Sequence, residues 1–387
     1  MADLVLTRLR RWRRRGSEPA IDMHVHLDHP EDVRTTVGIA DSQRARLVRL
    51  ARILGAEATP LGALLLVLFL VSACRSGGGG ERAGMGGTGH SILGDGQADP
   101  VGAGRDGSLG TPPRSWTCPP GPFDPPQAGP SQPVCQGFPF KYDWNEGPTW
   151  IASHRAFFFS NFVVGAAGPG DMIEFTPETG TCETFIADDG CNGLAVAPDG
   201  NIIAACQTPR AVMHYDVTTK QGTVLADMAD GQMLDSVNDL VAHSNGTIYF
   251  TNPVYELAGR PLGIGQAVLR LDPGGAISVI ATGSVNGIAL SPDEARLYVV
   301  FQGVWDLDAD GVPSNPRSFP LGGDGIAVDC AGNIYDNTGT IRDPQGNPIG
   351  TFPVGTNMAF GGPDGKTLFV VGGTMAQIVP MNIPGLP

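Results

Sequence analysis

Three things are scarce in this chain of 387 residues, and each scarcity removes a class of answer. Basic side chains are outnumbered, 25 Lys+Arg against 39 Asp+Glu, and they concentrate in the first fifth of the chain. The formal net charge of −14 therefore understates the acidity of the rest. An acidic surface repels phosphate backbones, which argues against a nucleic-acid partner. Long amphipathic stretches of helical period are missing beyond about residue 138. Short runs rich in β-branched and aromatic residues stand there instead, so the body reads as all-β. Histidine is almost absent from that body, where only His154, His214 and His243 occur, and no cysteines show CxxC spacing. A His-rich or Cys-rich zinc centre is disfavoured on both counts. No GxSxG nucleophile elbow or phosphate-binding loop is present.

The front of the chain reads as an address. Residues 62–73 (GALLLVLFLVSA) form an apolar run too short to span a bilayer comfortably, preceded by Arg44, Arg46, Arg49 and Arg52. That is the build of a secretory signal. Val71-Ser72-Ala73-Cys74 looks like a bacterial lipobox, with Cys74 as the lipid-bearing residue. The expectation is export, with a lipid anchor in the cell envelope and a preference for the outer membrane. The chain then divides into an extension and signal over residues 1–74, a Gly/Pro-rich flexible linker over 75–135, and a packed body over 136–387. The pair His24 and His26 resembles half of a metallohydrolase site but has no companion ligands, so it carries no weight.

Within the body one pattern recurs six times: a polar residue, an apolar run, a turn, a second apolar run. The copies open at Glu146, Asn192, Asn238, Asn286, Asp324 and Asn357, roughly 33 to 48 residues apart. That is the period of a four-stranded blade, and the fold expected is a six-bladed β-propeller behind a disordered tether. If every copy starts its inner strand at one height, the six openers converge around the axis. Two carboxylates and four amides supply hard oxygen donors and a formal charge of −2, which suits calcium, magnesium or manganese. Asn-Gly and Asp-Gly also favour tight turns. Yet each copy has its own turn downstream, such as Pro198-Asp199-Gly200 and Pro363-Asp364-Gly365, which leaves the opener surplus to the hairpin.

The strings EGPTW, SVNDLVAHSNGTIYFTNP, NGIALSPDEARLYVV, DGIAVDCAGNIY and NMAFGGPDGKTLFVV resemble the regucalcin/gluconolactonase family of six-bladed propellers, in order and from about residue 144 onward. The resemblance implies a divalent cation, calcium foremost and zinc as an alternative, held by Glu146, Asn238, Asn286 and Asp324. It implies lactone hydrolysis, with Asp324 as the acid/base group. Asn192, Asn252 and Asn357 are expected to contact the substrate or to support the ligands from behind. A small-molecule lactone or ester is the partner expected, and a monomer the expected state. A non-catalytic, metal-stabilised propeller that binds a ligand or protein is the alternative.

Three departures stand out. The family commonly has FTDP where this chain has Phe250-Thr251-Asn252-Pro253, and an Asn where it has Asp235. It often has YVAD where Tyr298-Val299-Val300-Phe301 continues apolar. Asp306-x-Asp308-x-Asp310-Gly311 matches the opening of a calcium loop, but position twelve is Arg317, so a solvated hairpin is expected. Six cysteines follow Cys74, and an even number in an exported protein suggests disulfides. Six allow 15 connectivities. Cys118 with Cys135 and Cys182 with Cys191 are the pairs expected, because they close short loops.

Overall fold

The computed structural model describes residues 117–387 apart from residue 167, together with the short strands Ile21–Asp22 and Thr36–Val37. The chain divides into two units, Met1–Pro100 and Val101–Pro387. In the first, those two strands pair antiparallel with Ile21 opposite Val37. The apolar run 62–73, Cys74 and most of the linker lie outside the described residues.

The second unit contains no helix among its described residues and six antiparallel sheets of four strands each. Blade 1 runs from Trp144–Ile151 on the axis to Thr181–Ile186 at the rim, and blade 2 from Cys191–Val196 to Gly222–Ala226. Blade 3 runs from Leu240–Ala242 to Ile277–Thr282, blade 4 from Ile288–Leu290 to Pro313–Arg317, and blade 5 from Ile326–Val328 to Pro348–Thr351. Blade 6 takes Asn357–Gly361, Thr367–Gly372 and Met375–Pro380 from the end of the chain, and its outer strand, Gln132–Pro133, from the front. Consecutive inner strands neighbour one another, and that of blade 6 lies against blade 1, so the ring closes.

Burial explains the sequence pattern. Middle strands are covered by blades on both faces, so Ala156–Phe162, Ile202–Cys206 and Ile248–Asn252 are buried at every position. Strands covered on both faces read as continuous rather than alternating apolar runs. The outer strand Pro313–Arg317 has no such cover and is polar. Where blades 1 and 6 meet, Phe369 stacks on Phe157 and Phe175 at 4.7 and 5.5 Å between ring centroids. Each such ring contributes about 2–3 kcal/mol by burial.

Two expectations are corrected here. The stretch 75–135 is not linker throughout, because residues 125–134 run beside the last strand of blade 6. Gly129 N–H donates to Pro380 O at 2.7 Å and Val134 N–H to Ala376 O at 2.9 Å. The unpaired edge of a three-stranded last blade is what that segment covers. Neither expected disulfide forms: the bridges are Cys118–Cys330, Cys135–Cys182 and Cys191–Cys206. Short separation in sequence misled, because Cys118 and Cys135 reach different blades along the entering segment. Cys191 and Cys206 are direct partners across the inner hairpin of blade 2.

A candidate metal ring at the mouth of the channel

The downstream turns and the openers sit at opposite ends of the inner strands. In blade 2 the hairpin closes at Gly200, whose N–H donates to Ala197 O at 2.9 Å, a full strand from Asn192. The openers are therefore not hairpin residues. They begin the inner strands at one end of the channel, as the repeat suggests.

Neighbour touches neighbour around that end. Gly193 N–H donates to Asn238 O at 2.7 Å, Gly287 N–H to Asp324 O at 3.1 Å, and Gly325 N–H to Thr356 O at 2.9 Å. Thr356 and Asn357 reach the Glu146 carboxylate by their side chains, which carries the ring from blade 6 to blade 1. Asp239, following Asn238, accepts from the Leu240 and Ile288 N–H groups and from the Asn357 side chain, bridging blades 3, 4 and 6. The glycines after the openers follow from this closeness. A Cβ on Gly193 would lie 2.5 Å from Asp239 Oδ1 and 2.7 Å from Asn238 O, and one on Gly325 2.8 Å from Asn357 Cα. Steric approach of adjacent blades, not turn formation, demands glycine there.

Below the ring the channel encloses about 110 Å³ and is walled by apolar residues of the inner strands, including Leu194, Leu240, Ile288 and Val328. Leu386 and Pro387 line its far end. His243 lines the channel remote from the ring, and His154 lies in the outward hairpin of blade 1, 3.3 Å from Glu174. His214 pairs with Asp199 at 2.9 Å. None of the three joins the openers.

The carboxylates of the mouth repel one another. Burial, and then the Asp324 carboxylate, push Glu146 well above the usual carboxylate range. Burial and Glu256 push Asp324 to about 6 against a hydrogen bond from Asn286. Burial pushes Asp239 to about 7, with Asp324 adding to it. Among the described residues none of these three forms an ion pair with Lys, Arg or His. Buried like charges without a compensating cation fit a divalent ion held by Glu146, Asn286 and Asp324, with Asn238 beside them. No group of three or more His, Cys, Asp or Glu fit to hold a metal occurs among the described residues. A ring whose donors are largely amides is not such a group.

Not every expected residue faces the mouth. Asn192 and Asn357 are buried within the ring, and Asn357 serves Glu146 and Asp239 at once. Asn252 is fully buried and spends its carboxamide on Asp235 and Gly265 O. The Asp306 hairpin is closed by a bidentate Arg317–Asp306 pair at 2.6 and 2.7 Å, with Arg317 at the place of the missing twelfth acid.

The sequence reading missed a cover. Blade 3 carries a long loop over residues 253–266 between its second and third strands. Arg260 fastens it to blade 2 through Gln207 O at 2.7 Å and Thr208 O at 2.9 Å. The buried Glu256 accepts from Ser236 Oγ at 2.7 Å and from Gly165 N–H of blade 1. Tyr255 donates its hydroxyl to Val285 O at 2.8 Å, one residue before Asn286. Asp324 acts electrostatically on Tyr255, and Glu256 acts on Asp324. No periodic signal marks this loop, because only one blade has it.

A closed six-bladed propeller with one oxygen-rich ring at its mouth defines the class. The chain belongs to the SMP-30/gluconolactonase/LRE-like family, whose sequence model matches residues 144–374. It is 31% identical to the gluconolactonase of Zymomonas mobilis, over 59% of this chain and 75% of that one. Among solved structures, a gluconolactonase of Xanthomonas campestris superposes with a TM-score of 0.56 at 26% identity, covering 69% of this chain and 99% of that one. A calcium-binding regucalcin of Agrobacterium tumefaciens shares the fold, with a TM-score of 0.52 at 19% identity, covering 62% of this chain and 91% of that one.

Proposed function

We propose that the protein is a metal-dependent hydrolase of lactones, with Asp324 as its acid/base group. The observation that carries this reading is the meeting of Glu146, Asn286 and Asp324 at the mouth, where burial holds the two carboxyls above their usual range and no basic side chain among the described residues pairs with them. The gluconolactonase relatives support the reaction class. The ion is a divalent cation, calcium by its oxygen donors and by the likeness to regucalcin. When bound it would polarise the lactone carbonyl and stabilise charge developing on that oxygen.

The protein's own groups do the rest. Asp324 is less buried than Glu146, which leaves it the more accessible of the two carboxyls. Its carboxylate takes a proton from the attacking water, whose oxygen bonds to the acyl carbon. The acyl–oxygen bond of the ring then breaks, and Asp324 returns the proton to the departing alkoxide, leaving a hydroxy acid. Asn286 orients Asp324 by a hydrogen bond. The 253–266 loop brings Tyr255 and Glu256 within electrostatic reach of Asp324.

A pH-stat assay over sugar, alkyl and aromatic lactones, with and without chelator, tests this. Turnover that chelation abolishes supports it. No turnover of any lactone would instead make the ring a structural feature of a binding module. The same proposal includes export and lipidation at Cys74. Incorporation of labelled fatty acid into the wild type, lost in Cys74→Ser, is the expected result.

A further inference from the structure

Antiparallel pairing returns the turn between second and third strands of every blade to the end where the openers lie. At that end a set of exposed apolar side chains stands among polar ones such as Asp188, Asp230 and Ser284. Val164 of blade 1, Tyr255 and Leu262 of blade 3, and Phe301 of blade 4 are all exposed there, with Met233 and Val354 on the links that lead into Asn238 and Asn357. The hairpins at the opposite end present Asp199, Asn245, Asp293 and Asp364, with Val312 the large exposed apolar side chain among them. Scattered apolar side chains are ordinary on a protein surface; a set gathered at one end around one site is not.

Two of these residues lie beside the opener Asn286, one held through its side chain and one through its backbone neighbour. Tyr255, 41% exposed, holds Val285 O with its hydroxyl, and Phe301, 54% exposed, follows Val300, whose N–H donates to Gly287 O at 2.9 Å. Val285 and Gly287 flank Asn286, so the two aromatic residues are anchored on either side of one expected ligand. Phe301 also holds a φ of +70°, a left-handed conformation that a bulky residue adopts at a cost. An Asn would sit there with less strain, so packing of the folded protein does not account for an exposed Phe.

We infer that the lactone taken at this mouth carries an apolar substituent, an alkyl or acyl chain, which lies between Tyr255 and Phe301, rather than the hydroxyl groups of a sugar. This rests on the lactonase reading and specifies its substrate class. A polyhydroxylated ring would need donors and acceptors along those walls, and the walls offer aromatic and aliphatic faces.

The test compares kcat/KM for γ-butyrolactone, γ-lactones with butyl and octyl chains, and glucono-δ-lactone. Four proteins are used: the wild type, Phe301→Asn, Phe301→Tyr and Leu262→Ser. Each methylene buried against the rings is worth roughly fourfold. The wild type is expected to prefer the butyl lactone over the unsubstituted one by tenfold or more. Phe301→Asn should reduce that preference, read as the ratio of kcat/KM for the butyl and unsubstituted lactones, at least threefold, and Phe301→Tyr should retain it. Equal rates across chain lengths, or a preference for the sugar lactone, overturn the inference and leave the lactonase reading standing.

If no lactone is hydrolysed, calorimetric binding of the matching alkyl lactams decides the point separately. Chain-length-dependent binding lost in Phe301→Asn upholds the apolar site without the reaction, and its absence rejects the site. Association with phospholipid vesicles that Phe301→Asn and Leu262→Ser both abolish, with no chain-length effect on catalysis, also overturns it. The rim would then face a membrane.

Discussion

The Asp235 carboxylate and the Asn252 carboxamide hold each other directly: Asn252 Nδ2 donates to Asp235 Oδ2 at 3.2 Å, and Asp235 N–H donates to Asn252 Oδ1 at 2.7 Å. In sequence these are two separate departures from the family pattern, an acid lost at 252 and an amide lost at 235. In space they are one exchange, since the acid and amide have traded places within a single contact. The carboxylate then serves the cover loop, accepting from Gly263 and Gly265 N–H at 2.5 and 2.6 Å, and it pairs with the buried Arg210 at 3.1 Å. The carboxylate missing at 252 thus stands at 235, and it anchors the loop that carries Tyr255.

Reversing the exchange one residue at a time should be costly. Asp235→Asn leaves Arg210 without its carboxylate in a buried place, a loss of about 3–5 kcal/mol. Asn252→Asp sets two acids in contact. The double variant restores one acid and one amide, and should recover at least about 2 kcal/mol of the summed losses. Urea denaturation of the four proteins measures this. Additive losses would show that the contact does not couple the two sites.

The repeat was legible because it is periodic: Glu146, Asn192, Asn238, Asn286, Asp324 and Asn357 begin equivalent strands, and register carries each to the same height. Blade number, all-β class and the meeting of those residues all follow from that one regularity. What breaks the period could not be read. Tyr255 and Glu256 belong to a loop found in one blade, Thr356 looks like ordinary linker, and Asp239 replaces the glycine found after four of the openers. The closing strand Gln132–Pro133 lies in a Pro-rich stretch with no strand pattern, and its partner is about 245 positions away. The disulfides failed for the same reason, since pairing depends on which blade the entering segment touches.

Glu146→Gln should separate charge repulsion from metal binding. It removes a carboxylate that burial and the Asp324 charge hold well above its usual range, so the chelated variant should melt higher than the chelated wild type. Calcium at a hundred times its Kd would stabilise the wild type by about 2.7 kcal/mol, a rise of roughly 5–10 °C. The variant should show little of that rise. Differential scanning calorimetry with chelator and with calcium measures both. A chelated Glu146→Gln protein less stable than the chelated wild type would count against an unpaired carboxylate pair.

Gly193→Ala tests the close approach that shapes the ring. The new Cβ would meet Asp239 Oδ1 at 2.5 Å and the neighbouring backbone at 2.7 Å, so two blades must part. Overpacking of this kind costs about 1–3 kcal/mol. Gly274→Ala, in a turn where a Cβ meets nothing within 4 Å, is the control and should change little. The calcium-induced rise in melting temperature should shrink in Gly193→Ala and persist in Gly274→Ala.

Asp189, on the link that leads into blade 2, gives a pH dependence of its own. Burial, with Asp171 and Asp188 nearby, pushes its carboxyl up to about 7; its Oδ1 accepts from Cys191 N–H at 3.1 Å, and its Oδ2 has no partner. The folded form thus holds a proton that the unfolded form releases near pH 4, so stability falls as pH rises from about 4 through about 7. Asp189→Asn removes that fall. The variant should be more stable than the wild type at pH 8, by a few degrees in melting temperature, with the advantage vanishing near pH 4. An advantage that persisted unchanged at pH 4 would mean that ionisation is not its source.

Of the three disulfides, Cys118–Cys330 should matter most to stability. It spans 212 residues, against 47 for Cys135–Cys182 and 15 for Cys191–Cys206. In the chain-entropy account the loop of this length constrains the unfolded state by roughly 5 kcal/mol and the shortest by roughly 3 kcal/mol. Position adds to length. The bridge fixes the entering segment to blade 5, and that segment supplies the outer strand of blade 6. Cys118→Ser with Cys330→Ser should therefore release the closing strand as well as lower the melting temperature, which hydrogen exchange at Val134 N–H would report. The corresponding Cys191/Cys206 variant should lower the melting temperature less and leave exchange at Val134 unchanged. Equal losses in the two variants, with Val134 protected in both, would mean that hydrogen bonding to the last strand of blade 6 closes the propeller without help from the bridge.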